Sequence, residues 1–145
     1  ICSLAQIRNY QSKLSGPILD RMDLKVWIEP TEKEELLERS KGETSTQMKE
    51  RIERAVKVQR QRFKERGFFF NSRMGEKDVE EFCILDDRAK ELLKKAIDRL
   101  NLTGRSYMKL LKVSRTIADL EGEELIRHHH ISEALQFRID ERLLL

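Results

Sequence analysis

The run SGPILDRMDL, residues 15–24, carries the side chains best suited to chemistry. Gly16 permits a turn and Pro17 is tolerated in the first turn of a helix, so we expect a single helical turn over residues 17–22. That turn places Arg21 between Asp20 and Asp23, whose carboxylates could orient its guanidinium. Such an arginine could reach an anion on another subunit. The alternative is a local Arg–Asp pair, which at a protein surface is common and weak.

A second cationic position lies near the start of a long amphipathic helix. Thr103 is a candidate N-cap, which puts Arg105 in the first turn, where a positive side chain opposes the helix dipole. Lys109 and Lys112 follow at i+4 and i+7, away from the apolar face, and like charges at these spacings repel weakly. A nearby anion would remove the penalty on Arg105, whereas a solvated basic stripe is the simpler interpretation of the two lysines.

Basic residues also crowd the helix expected over residues 48–66, which the run Phe68-Phe69-Phe70 follows. Phosphate neutralisation by the helix and base stacking on the phenylalanines would suit a nucleic acid. Glutamates interleave with the basic residues, however, so a charged solvent face explains the helix equally well. We expect the phenylalanines to anchor a loop against the bundle, with stacking on a single strand as the alternative.

The run His128-His129-His130 resembles a metal-binding tract. Adjacent side chains diverge, whereas helical ligand pairs normally stand at i and i+4, so we expect no metal site here. His130 is expected to serve as a cap or packing residue, and Cys83, among apolar neighbours, to be buried. The sequence contains no G-x-x-x-x-G-K-[ST] phosphate loop and no Ser/His/Asp or Cys/His arrangement.

Helices must position most of these groups. The chain has 145 residues, 38% of them charged, with six glycines and two prolines, a composition that favours long helices. Apolar spacing predicts helices over residues 4–14, 48–66, 76–82, 86–100, 105–120 and 132–142, and one strand over 23–30. Since one strand cannot form a sheet, and the sequence begins with Ile rather than Met, we expect a fragment of a longer protein, most of it a compact helical bundle.

Composition also limits the partners and the compartment. The net charge of +3 permits a polyanionic partner without requiring one. No apolar run approaches the roughly 18 residues of a membrane span, and no secretory signal is present. Two cysteines cannot form a disulfide framework, so a reducing cytoplasm is the expected location.

The run at residues 15–24 closely resembles the S-G-P-L-L-D-R-I-D-L segment that ends the ATPase core of the Mg-chelatase-like AAA+ family. Further runs resemble the same family in order and spacing: FC-x-LD at 82–86, GRSY at 104–107, VSRTIADL at 113–120 and HI-x-EALQFR at 130–138. The resemblance covers essentially the whole chain, and several motifs in register are more specific than one. It implies a mainly α fragment: the last helix and strand of an α/β ATPase core, with the arginine-finger segment, at 1–30, a linker at 31–47 and an α-helical lid at 48–145.

The resemblance also implies site residues and ligands. It makes Arg21 an arginine finger acting in trans and Arg105 the sensor-2 residue that contacts the γ-phosphate of ATP. ATP and Mg²⁺ would be bound mainly by the missing part of the protein, so this fragment alone is not expected to hydrolyse ATP. Similar proteins carry a cysteine cluster upstream of the finger segment, and Cys2 resembles its last member; one ligand alone cannot hold zinc.

For the complete protein the resemblance implies an ATP hydrolase that assembles with itself into a ring, expected to be a hexamer. The branch of the family that the chain resembles most implies a DNA motor, driving branch migration in the uptake and recombination of transforming DNA. The alternatives are a Mg-chelatase ATPase subunit and, outside the family, a non-catalytic helical module that binds DNA or protein.

Overall fold

A computed structural model describes residues 3–11, 16–26, 28 and 42–138. The helices in these ranges, in chain order, are α1 (Leu4–Gln11), α2 (Gly16–Leu19), α3 (Ser45–Arg62), α4 (Glu76–Phe82), α5 (Asp87–Leu100), α6 (Gly104–Glu121) and α7 (His128–Gln136). A 3₁₀ turn, Asn71–Arg73, stands between α3 and α4. The fold is therefore mainly helical, as predicted. None of the described helices combines the length and the apolar character needed to cross a bilayer.

Side-chain caps mark where α3, α5 and α6 begin. The hydroxyl of Thr44 accepts the Gln47 amide at the start of α3 (3.3 Å), and the carboxylate of Asp86 accepts the Ala89 amide at the start of α5 (2.7 Å). Thr103 accepts the Ser106 amide in the same way at the start of α6 (3.2 Å). Each cap satisfies an amide that the first helical turn leaves without a partner. The predicted cap Thr103 is confirmed.

Helix α6 lies at the centre of the bundle, in contact with α3, the 3₁₀ turn, α4 and α7. Its buried face carries Leu110, Leu111, Ile117 and Ala118. Phe63, which follows α3, is fully buried, and its ring centroid lies 4.8 Å from that of Phe68 and 5.4 Å from that of Phe82. The core also contains Val79, Ala89, Leu93, Ile126 and Ile131. Burial of these apolar groups is the main source of stability.

A buried ionic network adds specific bonds to this core. The carboxylate of Asp119, completely buried, accepts two hydrogen bonds from Arg62, Nη1–Oδ2 2.8 Å and Nη2–Oδ1 2.5 Å. Arg115 donates Nε to the same carboxylate (3.0 Å) and extends its two Nη groups to the carbonyls of Glu123 and Glu124. Burial lowers the pKa of Arg115, and the charge of Asp119 opposes that shift. The pairing offsets the cost of placing these charges inside the bundle.

Asn71 extends the network to the 3₁₀ turn. Its Nδ2 donates to Asp119 (2.8 Å) and to Thr116 (3.0 Å), and its backbone N–H donates to the side chain of Gln59 (3.1 Å). The network therefore joins α3, the 3₁₀ turn, α6 and the loop after α6 at one point. Sequence reasoning missed it, although Arg115 and Asp119 stand at i and i+4 on the otherwise apolar face of α6, a signal of a buried ion pair.

The predicted strand is wrong for the part of its range that the structure describes. Residues 23–26 and 28 form no strand, because no second strand is paired with them. Instead, the Lys25 backbone N–H donates to the carbonyl of Phe137, just after α7 (3.0 Å). The described residues contain one β-bridge, an isolated parallel pairing of Leu85 with Ile126.

Several helix boundaries differ from prediction. Helix α3 begins at Ser45, three residues early, because of the Thr44 cap, and it ends at Arg62. Its apolar face is buried only towards the C-terminal end, since Met48 and Ile52 are 43% and 53% exposed. Helix α1 agrees with the predicted helix as far as Gln11, and residues 12–14 of that prediction lie outside the described residues. The same holds for residues 31–41 of the predicted linker.

Helix α7 spans His128–Gln136 rather than the predicted 132–142. It begins four residues early because the ring of His130 accepts the backbone N–H of Arg127 and so caps the first turn (2.9 Å). Gln136 is followed by a turn at Phe137, and residues 139–145 lie outside the described residues.

Replacing the buried carboxylate should destabilise the fold strongly. We expect Asp119→Asn to lower the free energy of unfolding by about 3–5 kcal/mol, because it leaves Arg62 and Arg115 without a counter-ion. Urea unfolding followed by circular dichroism measures the change, with Asp98→Asn on the exposed face of α5 as the matched control. A loss for Asp119→Asn no larger than that of the control would contradict this account of the network.

A candidate anion-binding groove

A groove of about 760 Å³ lies between residues 17–25, the start of α6 and the end of α7. Cationic side chains from all three parts line it: Arg21, Lys25, Arg105, Lys109 and Arg138. Two carboxylates, Asp20 and Asp23, lie among them, and apolar residues such as Leu110, Val113 and Phe137 form the floor. The groove brings together Arg21 and Arg105, the two site residues that the sequence singled out, although they are far apart in the chain.

Arg21 lies in the turn that follows α2 and is exposed. Its Nη1 donates to the carbonyl of Pro17 (2.9 Å), and its backbone N–H donates to the carbonyl of Ile18 (3.0 Å). The prediction that Asp20 and Asp23 orient this guanidinium is wrong, because both carboxylates are engaged with α6. The helical turn itself positions Arg21 and leaves the rest of its planar fork available to a ligand.

The aspartates attach this segment to the first turns of α6. Asp20 Oδ2 lies 3.4 Å from Arg105 Nε, and Asp23 Oδ1 lies 2.9 Å from Lys109 Nζ. Lys109 also donates to the backbone carbonyl of Asp20 (2.7 Å), so it is not the solvated residue that was expected. Lys112 makes a longer contact with the carbonyl of Ser72 (3.4 Å). The anions that offset the positive charge at this helix start therefore include groups of the chain itself.

Arg105 keeps much of its binding capacity. The side chain of Arg105 is 54% exposed and that of Asp20 is 45% exposed. Water therefore screens the ion pair, which is weak. Within the described residues Arg105 makes no hydrogen bond besides this ion pair. A planar guanidinium beside a second one can hold the oxygens of a phosphate in fork geometry. The groove is therefore suited to an anion with several oxygens.

The histidine run forms a different arrangement at the other end of α6. Nε2 of His129 and Nε2 of His130 each lie 3.0 Å from the same oxygen of Glu121, the last residue of α6. His130 is fully buried, which confirms its predicted role as a cap and packing residue. Sequence reasoning compared the histidines only with one another and did not foresee Glu121.

The donor atoms of Glu121, His129 and His130 lie within 4.8 Å of one another, a spacing that a metal ion could bridge. The tautomer of His130 argues against that use. Its Nδ1 accepts the Arg127 amide, so the ring proton is on Nε2 and points to Glu121. A metal-binding histidine instead donates from its second nitrogen to an acceptor. The cluster is best described as a hydrogen-bonded link between α6 and α7.

The phenylalanine run divides into an anchor and an exposed pair. Phe68 packs against the core beside Phe63, as predicted. The same prediction is wrong for Phe69 and Phe70, which are 53% and 45% exposed. Gly67, with φ +73°, supplies the left-handed turn that separates α3 from this segment.

The two cysteines stand apart from the groove. Cys83 is buried as predicted, and burial raises the pKa of its thiol to about 12, which makes it unreactive at neutral pH. Its Sγ lies 3.8 Å from the carbonyl of Leu111. Cys2 and the zinc role implied for it lie outside the described residues.

The described residues form a helical bundle with a cationic groove, and comparison with known proteins identifies the family. Residues 42–138 match the family model of the magnesium chelatase subunit ChlI C-terminal domain, and residues 1–36 match that of the magnesium chelatase subunit ChlI. The chain belongs to this magnesium chelatase family, which is part of the AAA+ ATPase superfamily.

Named relatives resemble the chain over nearly its whole length. It is 40% identical over 141 residues to the Competence protein ComM of Haemophilus influenzae, an alignment that covers 96% of this chain and 27% of the relative. It is 36% identical to the protein YifB of Salmonella typhimurium and 34% identical to YifB of Escherichia coli, in each case over 99% of this chain and 28% of the relative. The chain thus spans about a quarter of the length of these curated relatives.

The Glu121 link generates a pH prediction. Desolvation raises the pKa of Glu121, but hydrogen bonds from His129 and His130 outweigh it, so the pKa falls below the ordinary 4.5. A lowered folded-state pKa stabilises the fold at pH values above 4.5, and the contribution is lost as the pH falls through the lower value. We expect Glu121→Gln to be less stable than the native chain at pH 5, with the difference shrinking as acid is added. Urea unfolding at a series of pH values tests this; a difference constant throughout the acid range would contradict it.

Proposed function

We propose that this chain supplies the arginine side of an intersubunit ATP site in a ring-forming ATPase, with Arg21 as an arginine finger and Arg105 as a sensor of the γ-phosphate. The observation that carries the proposal is the presence of both arginines in one groove, on two elements that are in contact through the Asp20–Arg105 and Asp23–Lys109 pairs. The membership of the chain in an AAA+ family supports the same assignment.

The charge balance of the groove suits this role. Arg21, Lys25, Arg105, Lys109 and Arg138 face it against the carboxylates of Asp20 and Asp23. Lys109 neutralises Asp23, and Arg105 lies beside Asp20. The remaining cations give the groove an excess of positive charge, which favours a polyphosphate. During phosphoryl transfer, charge builds up on the equatorial oxygens, and a guanidinium fork offsets it in a way that ammonium cannot copy.

The sequence indicates which subunit would bind the nucleotide and which would supply the arginines. The 145 residues have no phosphate loop, so neither ATP nor Mg²⁺ has its main binding site among them. We propose that a second subunit presents its nucleotide and Mg²⁺ to this groove. Because Arg21 and Arg105 share the groove, both then contact the same nucleotide, and both act in trans. Residues 1–30 end the ATPase core in this scheme, and the lid begins with α3.

For the complete protein we propose a hexameric DNA motor that drives branch migration during transformation and recombination. The likeness to the Competence protein ComM of Haemophilus influenzae supports a role connected with competence. A Mg-chelatase ATPase subunit is the second candidate, since the family models carry that description. A helical module without catalysis is the third, and the presence or lack of a phosphate loop elsewhere in the complete protein distinguishes it from the other two.

One surface supports the DNA proposal in particular. Phe69 and Phe70 are exposed. They lie next to Arg73, whose backbone N–H donates a hydrogen bond to the carbonyl of Phe70 (3.0 Å). Lys112 reaches the carbonyl of the intervening Ser72. Exposed aromatic rings beside cations are the parts that bind single strands, where bases stack and phosphates are neutralised.

Substitution of the arginines tests the nucleotide assignment. In the complete protein we expect Arg21→Ala to lower the rate of ATP hydrolysis on the order of 10³-fold, and Arg21→Lys to restore little of it. Arg105→Ala should cost about tenfold to a hundredfold, the range expected for losing one charge-assisted hydrogen bond. Arg88→Ala, exposed on α5, is the matched control. Hydrolysis by Arg21→Ala within a few-fold of the control, in rings that assemble normally, would refute the assignment.

Removal of the exposed rings tests the DNA partner. We expect the double variant Phe69→Ala, Phe70→Ala to weaken binding of a fluorescent oligothymidine by roughly tenfold or more, because each stacked base contributes about 1–3 kcal/mol. Fluorescence anisotropy of the complete protein measures the affinity, with Leu125→Ala as a control that removes exposed apolar surface elsewhere. Equal affinities for the double variant and the control would show that the rings are not a DNA platform.

A further inference from the structure

Arg138 has a buried donor without an acceptor. It follows α7, and its Nη1 is the one buried side-chain nitrogen or oxygen in the described part of the chain that has no hydrogen-bond partner. A buried guanidinium N–H without an acceptor is unfavourable, since it has lost its water and gained nothing in exchange. Such a group in a groove points to an acceptor that the described residues do not provide.

The backbone holds Arg138 beside residues 17–25, the segment that contains Arg21 (the Arg21 segment). The carbonyl of Phe137 accepts the Lys25 N–H (3.0 Å), and the Arg138 N–H donates to the carbonyl of Leu135 (3.1 Å). These bonds fix the end of α7 against residues that follow Arg21 directly. Arg138 therefore lines the same groove as Arg21 and Arg105, from a third element of the fold.

The carboxylates of the groove do not satisfy Arg138. Asp20 lies beside Arg105, and Asp23 binds Lys109. The missing acceptor must therefore come from outside the described residues. Because several positive charges surround it, a negatively charged acceptor is favoured. An anion with more than one oxygen, which the proposed function already assigns to Arg21 and Arg105, meets both conditions.

We propose that Arg138 is a third phosphate-contacting residue of the groove, donating from Nη1 to an oxygen of the triphosphate that a neighbouring subunit presents. The inference rests on the proposed function, because it uses the same nucleotide. It makes the end of α7 part of the ATP site, so the lid contacts the nucleotide at both α6 and α7. The nucleotide would then change the position of two helices together rather than of α6 alone.

The test compares Arg138→Ala and Arg138→Lys with the control Arg88→Ala in the complete protein. We expect Arg138→Ala to lower kcat/KM for ATP at least tenfold and to weaken ring assembly with ATPγS, while assembly with ADP and the melting temperature stay unchanged. Arg138→Lys should retain part of the activity, because it keeps the charge and most of the stem. It also provides a folded variant if alanine disturbs the end of α7.

Two results would overturn the inference. The first is kcat/KM within twofold of the control for both Arg138 variants. The second is an equal loss of assembly with ATPγS and ADP, accompanied by a lower melting temperature, which would assign Arg138 a structural partner instead. Arg21→Ala, measured in parallel, separates the two proposals: if it lowers hydrolysis and the Arg138 variants do not, only the inference fails. If Arg21→Ala has no effect, the proposed function fails.

Discussion

The carboxylate of Asp119 is the interaction on which the arrangement of the bundle depends. It is completely buried, and it holds Arg62 from α3 and Arg115 from its own helix, with Asn71 from the 3₁₀ turn as a further donor. The buried guanidinium of Arg115 and the partly buried one of Arg62 would be strongly destabilising without it. Because each partner comes from a different part of the chain, the network fixes α6 against α3 in one orientation, which apolar packing alone specifies less sharply.

The same helix connects this network to the groove. Helix α6 has 18 residues, so it spans about 27 Å, with Asp119 near one end and Arg105 at the other. Asp20 and Asp23 attach the Arg21 segment to its first turns, and the Lys25–Phe137 bond attaches that segment to α7. The cluster of Glu121, His129 and His130 joins α6 and α7 at the far end. Helices α6 and α7 are therefore connected at both ends, so a ligand bound in the groove would act on the two together.

Much of this fold follows from local sequence. Period-3.6 apolar spacing, with the cap Thr103, predicted the bounds of α4, α5 and α6 almost to the residue, because those signals act within one turn. What the sequence could not supply depends on contacts between distant segments. The pairing of Asp20 with Arg105, the burial of Asp119 and the early start of α7 each need a partner far away in the chain or an unusual cap. The predicted strand was wrong in its described residues for the same reason, since a strand exists only with a neighbour. The groove depends on the same long-range contacts, since Arg21 and Arg105 are far apart in the chain and meet only in the folded bundle.

The central claim is that Arg21 and Arg105 serve one nucleotide held by a neighbouring subunit. Mixing two inactive variants of the complete protein tests it most directly: one carries Arg21→Ala and Arg105→Ala together, and the other has a disabled phosphate loop. If both arginines act in trans, mixed rings contain interfaces with an intact nucleotide pocket on one side and both intact arginines on the other, and ATP hydrolysis should rise well above the sum of the separate variants. If native mass spectrometry shows mixed rings and hydrolysis stays at that sum, the two arginines do not act together across the interface.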